Sequence, residues 1–227
     1  MRASIVVLTY NQLKEGTIPC LDSILKYTPE DQFELVLVDN DSKDGTPEHL
    51  RSFAEGHKNV KLVLNETNKG YAGGNNDGLR AAAGDCIILL NNDTLVTPQW
   101  AERLLAHIQA DPRIGIVSPS TNYANNVQRI EVCPYQDDEG LAAFSESVYR
   151  RNAGKRRDLP YVVGFCMLLT RPMIEHTGLF DPRFGLGNFE DNDLCRRAQM
   201  AGFRTVWAED VFIHHHGSQC FKQNKID

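Results

Sequence analysis

Ser4-Ile5-Val6-Val7-Leu8, followed by the segment Ile18 to Tyr27 with Cys20, Leu21, Ile24 and Leu25 at helical spacing, decides the fold. The first run is β-branched and has no polar alternation, as a strand buried on both faces requires. A helix after such a strand fits a parallel sheet covered on both sides. Working outward, the unit recurs. Phe33 to Val38 is a second strand, and Thr46-Pro47-Glu48 is expected to open a helix with a capping hydroxyl and a proline at its first position. Val60 to Leu64 is a third strand, Asn75 to Ala83 a helix stopped by Gly84, and Cys86 to Leu90 a fourth strand. Thr97-Pro98 is another cap-plus-proline start, and Ile114 to Val117 a fifth strand.

From Pro119 to Pro160 the periodicity fades, and the basic run Arg150 to Arg157 appears. That run reads either as a solvated loop or as a contact for anionic lipid. Regularity returns with the β-rich unit Tyr161 to Thr170, a helix from Glu190 to Ala201 closed by Gly202, and short strands at Thr205 to Trp207 and Val211 to His214. The 227 residues, 41% hydrophobic and 24% charged, can bury a sizeable core. A net charge of −6 argues against nucleic acid as a partner. The longest apolar run, Ile87 to Leu90, is too short for a membrane span, and no signal peptide is read. Six cysteines, Cys20, Cys86, Cys133, Cys166, Cys195 and Cys220, lack paired spacing and point to a reducing cytosol. The final run Phe221 to Asp227 has no terminating element, which fits a module of a longer protein.

In an open parallel sheet, ligands bind beyond the carboxyl ends of the strands. Here those ends are polar: Thr9-Tyr10-Asn11, Asp39-Asn40-Asp41-Ser42, Asn65 to Gly74, and Asn91-Asn92-Asp93-Thr94. Each alone reads as an Asx turn or a local cap. Turns do not need a carboxylate at successive strand ends, so the recurrence favours a site.

The set Ser4 to Asn11, Val38 to Thr46, Asn68-Lys69-Gly70-Tyr71-Ala72-Gly73-Gly74-Asn75, and Leu89 to Thr94 resembles the family 2 glycosyltransferases, particularly their rhamnosyltransferase-like branch. The likeness continues through Gly187 to Arg197 and ends at His214-His215-His216-Gly217-Ser218. It implies a GT-A fold, an α/β architecture with a Rossmann-like, mostly parallel sheet flanked by helices and a smaller, β-rich acceptor side. Residues 1–118 would form the nucleotide-sugar half and 119–227 the acceptor half of one domain. The implied activity is inverting transfer of a hexosyl or deoxyhexosyl group from a nucleotide-diphosphate sugar, UDP- or dTDP-linked donors being favoured. The acceptor would be a glycan, glycolipid or cell-surface polysaccharide, or another lipid-linked acceptor, handled in the cytoplasm or peripherally at the inner membrane face.

The resemblance also assigns roles. Thr9, Tyr10, Asn11, Asp39 and Asn40 would hold the nucleoside, and Lys69, Gly70 and Asn75 would line the diphosphate. Asn92 and Asp93 close the segment matching the family's Asp-x-Asp motif, with Asp93 on a divalent metal. A cation bridging two phosphates neutralises the leaving group and orients the sugar. Asn91 stands where the first carboxylate is usual, which lowers the expected metal affinity. A histidine is implied near the metal, and strand alternation favours His214 or His216. Imidazole suits Mn²⁺ better than Mg²⁺, and both stay open. Asp191 is the implied general base, with Glu190 on a sugar hydroxyl and Asp193 structural. The competing structural role for Glu190 and Asp191 is to complement a helix N-terminus. Trp207 and Tyr161 are left as core aromatics.

Other classes fit less well. A nucleotide-sugar pyrophosphorylase would carry a Gly-rich basic loop after the first strand, where this chain has Thr9-Tyr10-Asn11-Gln12, and a dinucleotide-binding oxidoreductase would need Gly-x-Gly-x-x-Gly there. A degenerate nucleotide-sugar or carbohydrate-binding module remains the alternative, encouraged by Asn91 and opposed by Asp93 with Asp191.

Overall fold

The computed structural model describes residues 3–217, so Ser218, Cys220 and the run Phe221 to Asp227 lie outside the described residues. The chain runs β1 (Ala3–Thr9), a π-helical turn (Leu13–Thr17), α1 (Ile18–Tyr27), β2 (Phe33–Asp39), α2 (Thr46–Gly56), β3 (Val60–Leu64), α3 (Gly70–Ala81) and β4 (Cys86–Asn91). It continues with β5 (Thr94–Leu95), α4 (Trp100–Ala110), β6 (Ile114–Ser120), α5 (Asp138–Asn152), β7 (Arg156–Asp158), β8 (Cys166–Thr170) and α6 (Arg171–Thr177). A 3₁₀ turn (Pro182–Phe184), α7 (Glu190–Met200), β9 (Arg204–Phe212) and β10 (His214–His215) complete it.

Eight strands form one sheet in the order β3-β2-β1-β4-β8-β6-β9-β7, and β10 pairs with β5 in a separate ribbon. β1 to β4 are mutually parallel, and so are β6 and β9. β8 runs antiparallel between β4 and β6. The uninterrupted apolar strands follow from double-sided cover. Ile5 and Val7 of β1 pack under Leu21 and Ile24 of α1 and Trp100 and Leu104 of α4. Val6 packs in the opposite core with Ala72 and Leu79 of α3, Met173 of α6 and Leu194 of α7. Burying such side chains contributes about 1.5–3 kcal/mol each. The expected mostly parallel α/β sheet with flanking helices is what forms.

Several boundaries differ from expectation for local reasons. Thr46 does not cap α2: Gly45, at φ 86°, holds that position, and the Thr46 hydroxyl donates to Asp44 Oδ1 at 2.6 Å. Thr97 does not cap α4 either, because its hydroxyl donates to the Phe212 carbonyl at 2.6 Å, and Gln99, at φ 59°, precedes Trp100. α3 starts at Gly70 instead of Asn75, so most of the glycine-rich motif is helix. A Cβ at Gly78 would lie 2.2 Å from Val6 Cγ1, and one at Gly74 2.5 Å from Leu8 Cδ1. Those glycines let α3 sit close on the sheet. The segment without readable period contains α5, capped by Asp137 accepting from the Gly140 amide at 2.7 Å. β9 is one strand where two short ones were expected.

Candidate active site

The ends of β1 and β2 meet in a polar knot. Thr9 donates to Asp39 Oδ1 at 3.3 Å, and the Ser42 amide donates to Asp39 Oδ2 at 3.0 Å. Asn11, in the left-handed region at φ 56°, donates its amide to Ser42 Oγ and accepts the Lys43 amide on Oδ1. Asn92 ties this knot to β4 by donating to the Asn11 carbonyl and to Thr17 Oγ1, at 3.4 and 3.0 Å. Tyr10 is half-buried beside it. Thr9, Asn11, Asp39 and Asn92 therefore stand together at one edge, as strand-end geometry predicts.

The neighbouring residues behave differently. Asn40, 2% exposed, donates to Asn68 Oδ1 and the Gly70 carbonyl and accepts from Asn65 Nδ2 and the Lys69 amide. Its amide is committed to fastening the loop 65–70. Lys69 directs its ammonium to Asp77 Oδ2 at 2.7 Å. Gly70, at φ 69°, is pressed against the backbone of Gly185, where an added Cβ would lie 2.0 Å from the carbonyl oxygen. Asn75 is buried and donates to the Tyr71 carbonyl of its own helix. This loop thus docks two segments of the chain on each other.

At the end of β4, Asp93 is 6% exposed, and its carbonyl accepts from the His216 amide. His214 and His216 do share a side, their facing ring nitrogens 3.3 Å apart, and Tyr135 Oη lies 2.6 Å from His214 Nδ1. His215 is the histidine that reaches Asp93, with Nε2 3.2 Å from Oδ1. Its ring stacks on Phe165 at 5.2 Å. Burial, with the two neighbouring imidazoles adding, lowers His214 to about 4, and burial lowers His216. Among the described residues no three His, Cys, Asp or Glu side chains converge as a protein-only metal site. His215 Nε2 is nevertheless buried without a hydrogen-bond partner, beside a carboxylate oxygen. A nitrogen and an oxygen so placed fit a divalent cation that takes its other ligands from a diphosphate.

A cavity of about 370 Å³ lies next to this pair, walled by Asn91, Phe165, His215, Tyr71, Glu190 and Asp191 among others. Phe189, at φ 71°, and Asn188, at φ 78°, lead into α7, whose first turn carries Glu190 and Asp191. Glu190 is 6% exposed, and its Oε2 is buried without a partner. Burial, with the Asp191 charge adding, raises its carboxyl to about 7. Burial also raises Asp191, opposed by the Asn192 and Gly164 amides that donate to it at 2.8 and 3.0 Å. Asp193 pairs with Arg197 at 2.8 Å. Tyr161 lines the cavity, whereas Trp207 donates to Ser120 Oγ and lies under Arg157. In the basic run, Arg150 pairs with Glu146 and Arg157 with Glu209.

Sequence reasoning missed Phe165, Tyr123 and the Val163–Gly164 backbone as cavity walls. None carries a local signal, since backbone amides and lone aromatics acquire a role only through the fold.

Comparison with known proteins places the fold and the family. Glycosyltransferase AglE of Haloferax volcanii is 26% identical over 93% of this chain and 66% of its own length. The O-antigen biosynthesis protein RfbC of Myxococcus xanthus is 27% identical over 91% of this chain and 16% of its own. The chain thus spans less than two thirds of the curated relatives' lengths. Among solved structures, the mannosyltransferase PcManGT from Pyrobaculum calidifontis, in complex with GDP-Man and Mn²⁺, superimposes with a TM-score of 0.71 at 24% identity, covering 99% of this chain and 60% of that one. GalNAc-T7 with UDP, GalNAc and Mn²⁺ gives 0.75 at 19% identity, covering 94% of this chain and 43% of that one. These neighbours show the GT-A fold. The glycosyl transferase family 2 pattern matches residues 4–178, from β1 to the turn after α6, and the chain belongs to that family.

Proposed function

We propose that the chain transfers a hexosyl or deoxyhexosyl group from a nucleotide-diphosphate sugar to an acceptor hydroxyl, with inversion, in the manner of the rhamnosyltransferase-like branch. The observation that carries this reading is that Asp191 and Glu190 line the same cavity as Asn91 and His215. A base and a leaving-group site in one cavity suit direct displacement. Asp191, raised by burial, takes the acceptor proton as the hydroxyl attacks the anomeric carbon. One base and one displacement invert that centre. Glu190, near half-protonated around pH 7, donates to or accepts from a sugar hydroxyl.

Each Asp39 oxygen keeps a lone pair beyond its bond to Thr9 or Ser42, enough to accept the ring N–H of uracil or thymine. Asp93 and His215 would hold the divalent cation, which supplies charge neutralisation of the diphosphate. Mn²⁺ is favoured by the imidazole, and Mg²⁺ remains the alternative. UDP- or dTDP-linked donors are favoured. The acceptor is a glycan or lipid-linked polysaccharide reached from the cytoplasmic side with peripheral membrane contact; no helix among the described residues is long and apolar enough to cross a membrane.

Thermal unfolding with UDP, GDP, dTDP and CDP, each with and without Mn²⁺, tests this. One nucleotide should stabilise the protein in the presence of Mn²⁺, by about 2.7 kcal/mol at a hundredfold excess over Kd, and Asp93→Ala and His215→Ala should abolish the effect. Asp191→Asn should keep the shift and lose at least about a hundredfold in transfer rate. No shift with any nucleotide would overturn the donor site. A shift without transfer by the unmodified chain would favour the binding-module reading, which Asn91 at the cavity wall supports.

A further inference from the structure

Between Tyr161 and β8 the chain crosses the cavity wall without regular structure, and three successive peptide groups there are each bonded to a side chain. The Val163 amide donates to Gln128 Oε1 at 2.8 Å. The Gly164 amide donates to Asp191 Oδ2 at 3.0 Å. The Gly164 carbonyl accepts from the Tyr71 hydroxyl. The middle peptide meets the carboxylate, and the two flanking ones are clamped by α3 and by the loop 121–130. Fixing both neighbours fixes the rotation of the peptide between them.

Both clamps are built for permanence. Gln128 is fully buried, and its amide makes every bond available to it. Nε2 donates to Ser118 Oγ and the Pro119 carbonyl, while Oε1 accepts from Asn126 Nδ2 as well as from Val163. Closing the loop 121–130 would need only the bonds to residues 118, 119 and 126; the bond to Val163 reaches out of that loop to the cavity wall. Tyr71 is kept protonated by burial and by the nearby Glu190 and Asp191 charges, so its hydroxyl remains available as a donor. Its ring packs edge-on against Phe180. Gly164 leaves no room for a side chain, since a Cβ would lie 2.8 Å from Tyr71 Oη and 3.5 Å from Asp191 Oδ2.

We propose that Gln128 and Tyr71 are positioning residues that lock the Val163–Gly164 backbone so that its amide sets the direction of the Asp191 carboxylate. The proposal rests on the reading of Asp191 as the general base, because a proton acceptor works only with its oxygen aimed at the attacking hydroxyl. Neither residue touches substrate in this scheme. The groups facing Asp191 are Glu190 on the same turn, Tyr71 on α3 and Cys195 one turn on.

The test is titration of the Asp191 carboxyl in the full chain by carboxyl ¹³C NMR, its signal assigned by disappearance in Asp191→Asn. Tyr71→Phe removes one oxygen and keeps the ring contact, and Gln128→Met keeps the volume and deletes the clamp. In both, Asp191 should titrate at higher pH than in the unmodified chain, because its ionised form loses a well-aimed N–H donor. Thr97→Val, which deletes a buried bond to β9 at Phe212, should leave that titration unmoved. A titration in Tyr71→Phe or Gln128→Met that coincides with the unmodified chain overturns the proposal for that residue. Should Gln128→Met fail to fold, Tyr71→Phe decides. Full transfer by Asp191→Asn would instead remove the base reading while leaving the titration result standing.

Discussion

Glu190→Gln should make the protein more stable at pH 8. The Glu190 side chain is 6% exposed with one oxygen unpartnered, and burial raises its carboxyl from 4.5 to about 7. Well below pH 4.5 the group is protonated in both folded and unfolded chains, so its ionisation costs no stability there. Between 4.5 and about 7 the folded chain holds a proton that the unfolded chain has released, so stability declines as pH rises through that window. Above it the folded chain carries a buried charge. The rise corresponds to about 3 kcal/mol at about 1.4 kcal/mol per pH unit. A neutral amide keeps part of the burial cost, so the variant should gain about 1–3 kcal/mol at pH 8. At pH 4.5 the two chains should differ little. Urea unfolding at both pH values measures this as a shift in midpoint at constant slope. A variant no more stable at pH 8, or one stabilised equally at both, would refute the idea that a desolvated carboxylate is retained here at the expense of stability.

Asn40→Ala should destabilise by about 2–4 kcal/mol in the same assay, since four hydrogen bonds holding the loop 65–70 converge on its amide. A loss below about 1 kcal/mol would show that the loop holds itself. Gly70→Ala should cost at least about 2 kcal/mol, combining a left-handed φ of 69° with a Cβ set 2.0 Å from the Gly185 carbonyl oxygen; a urea midpoint equal to that of the unmodified chain would mean that the segment at Gly185 is free to withdraw.

What the sequence made legible was whatever local chemistry writes. α1 and β3 have the expected ends because a short apolar strand and a one-faced helix have different periods. The polar strand ends converge because a parallel sheet puts them at one edge. Thr46 and Thr97 were misread because a threonine before proline resembles a cap, while the real caps are the left-handed Gly45 and Gln99. α5 was hidden by the small number of its buried positions, chiefly Leu141, Ser145 and Val148. At the site, alternation puts His214 and His216 on one side and favours them for the metal, whereas the histidine beside Asp93 is His215. That depends on β10 pairing with β5, a tertiary event. Gln128 was invisible for the same reason, its partners at Ser118, Pro119 and Val163 lying 9 to 35 positions away.

The antiparallel strand β8 belongs by sequence to the later half of the chain, yet it lies between β4 and β6, hydrogen-bonded to both. Cutting the chain after β6 would therefore leave β4 with one raw edge of unpaired peptide groups and β6, which also loses β9, with two. The two halves cannot be traded between relatives as cassettes. A chimera between relatives has to respect a seam inside the sheet, which means taking β4, β8 and β6 from the same parent.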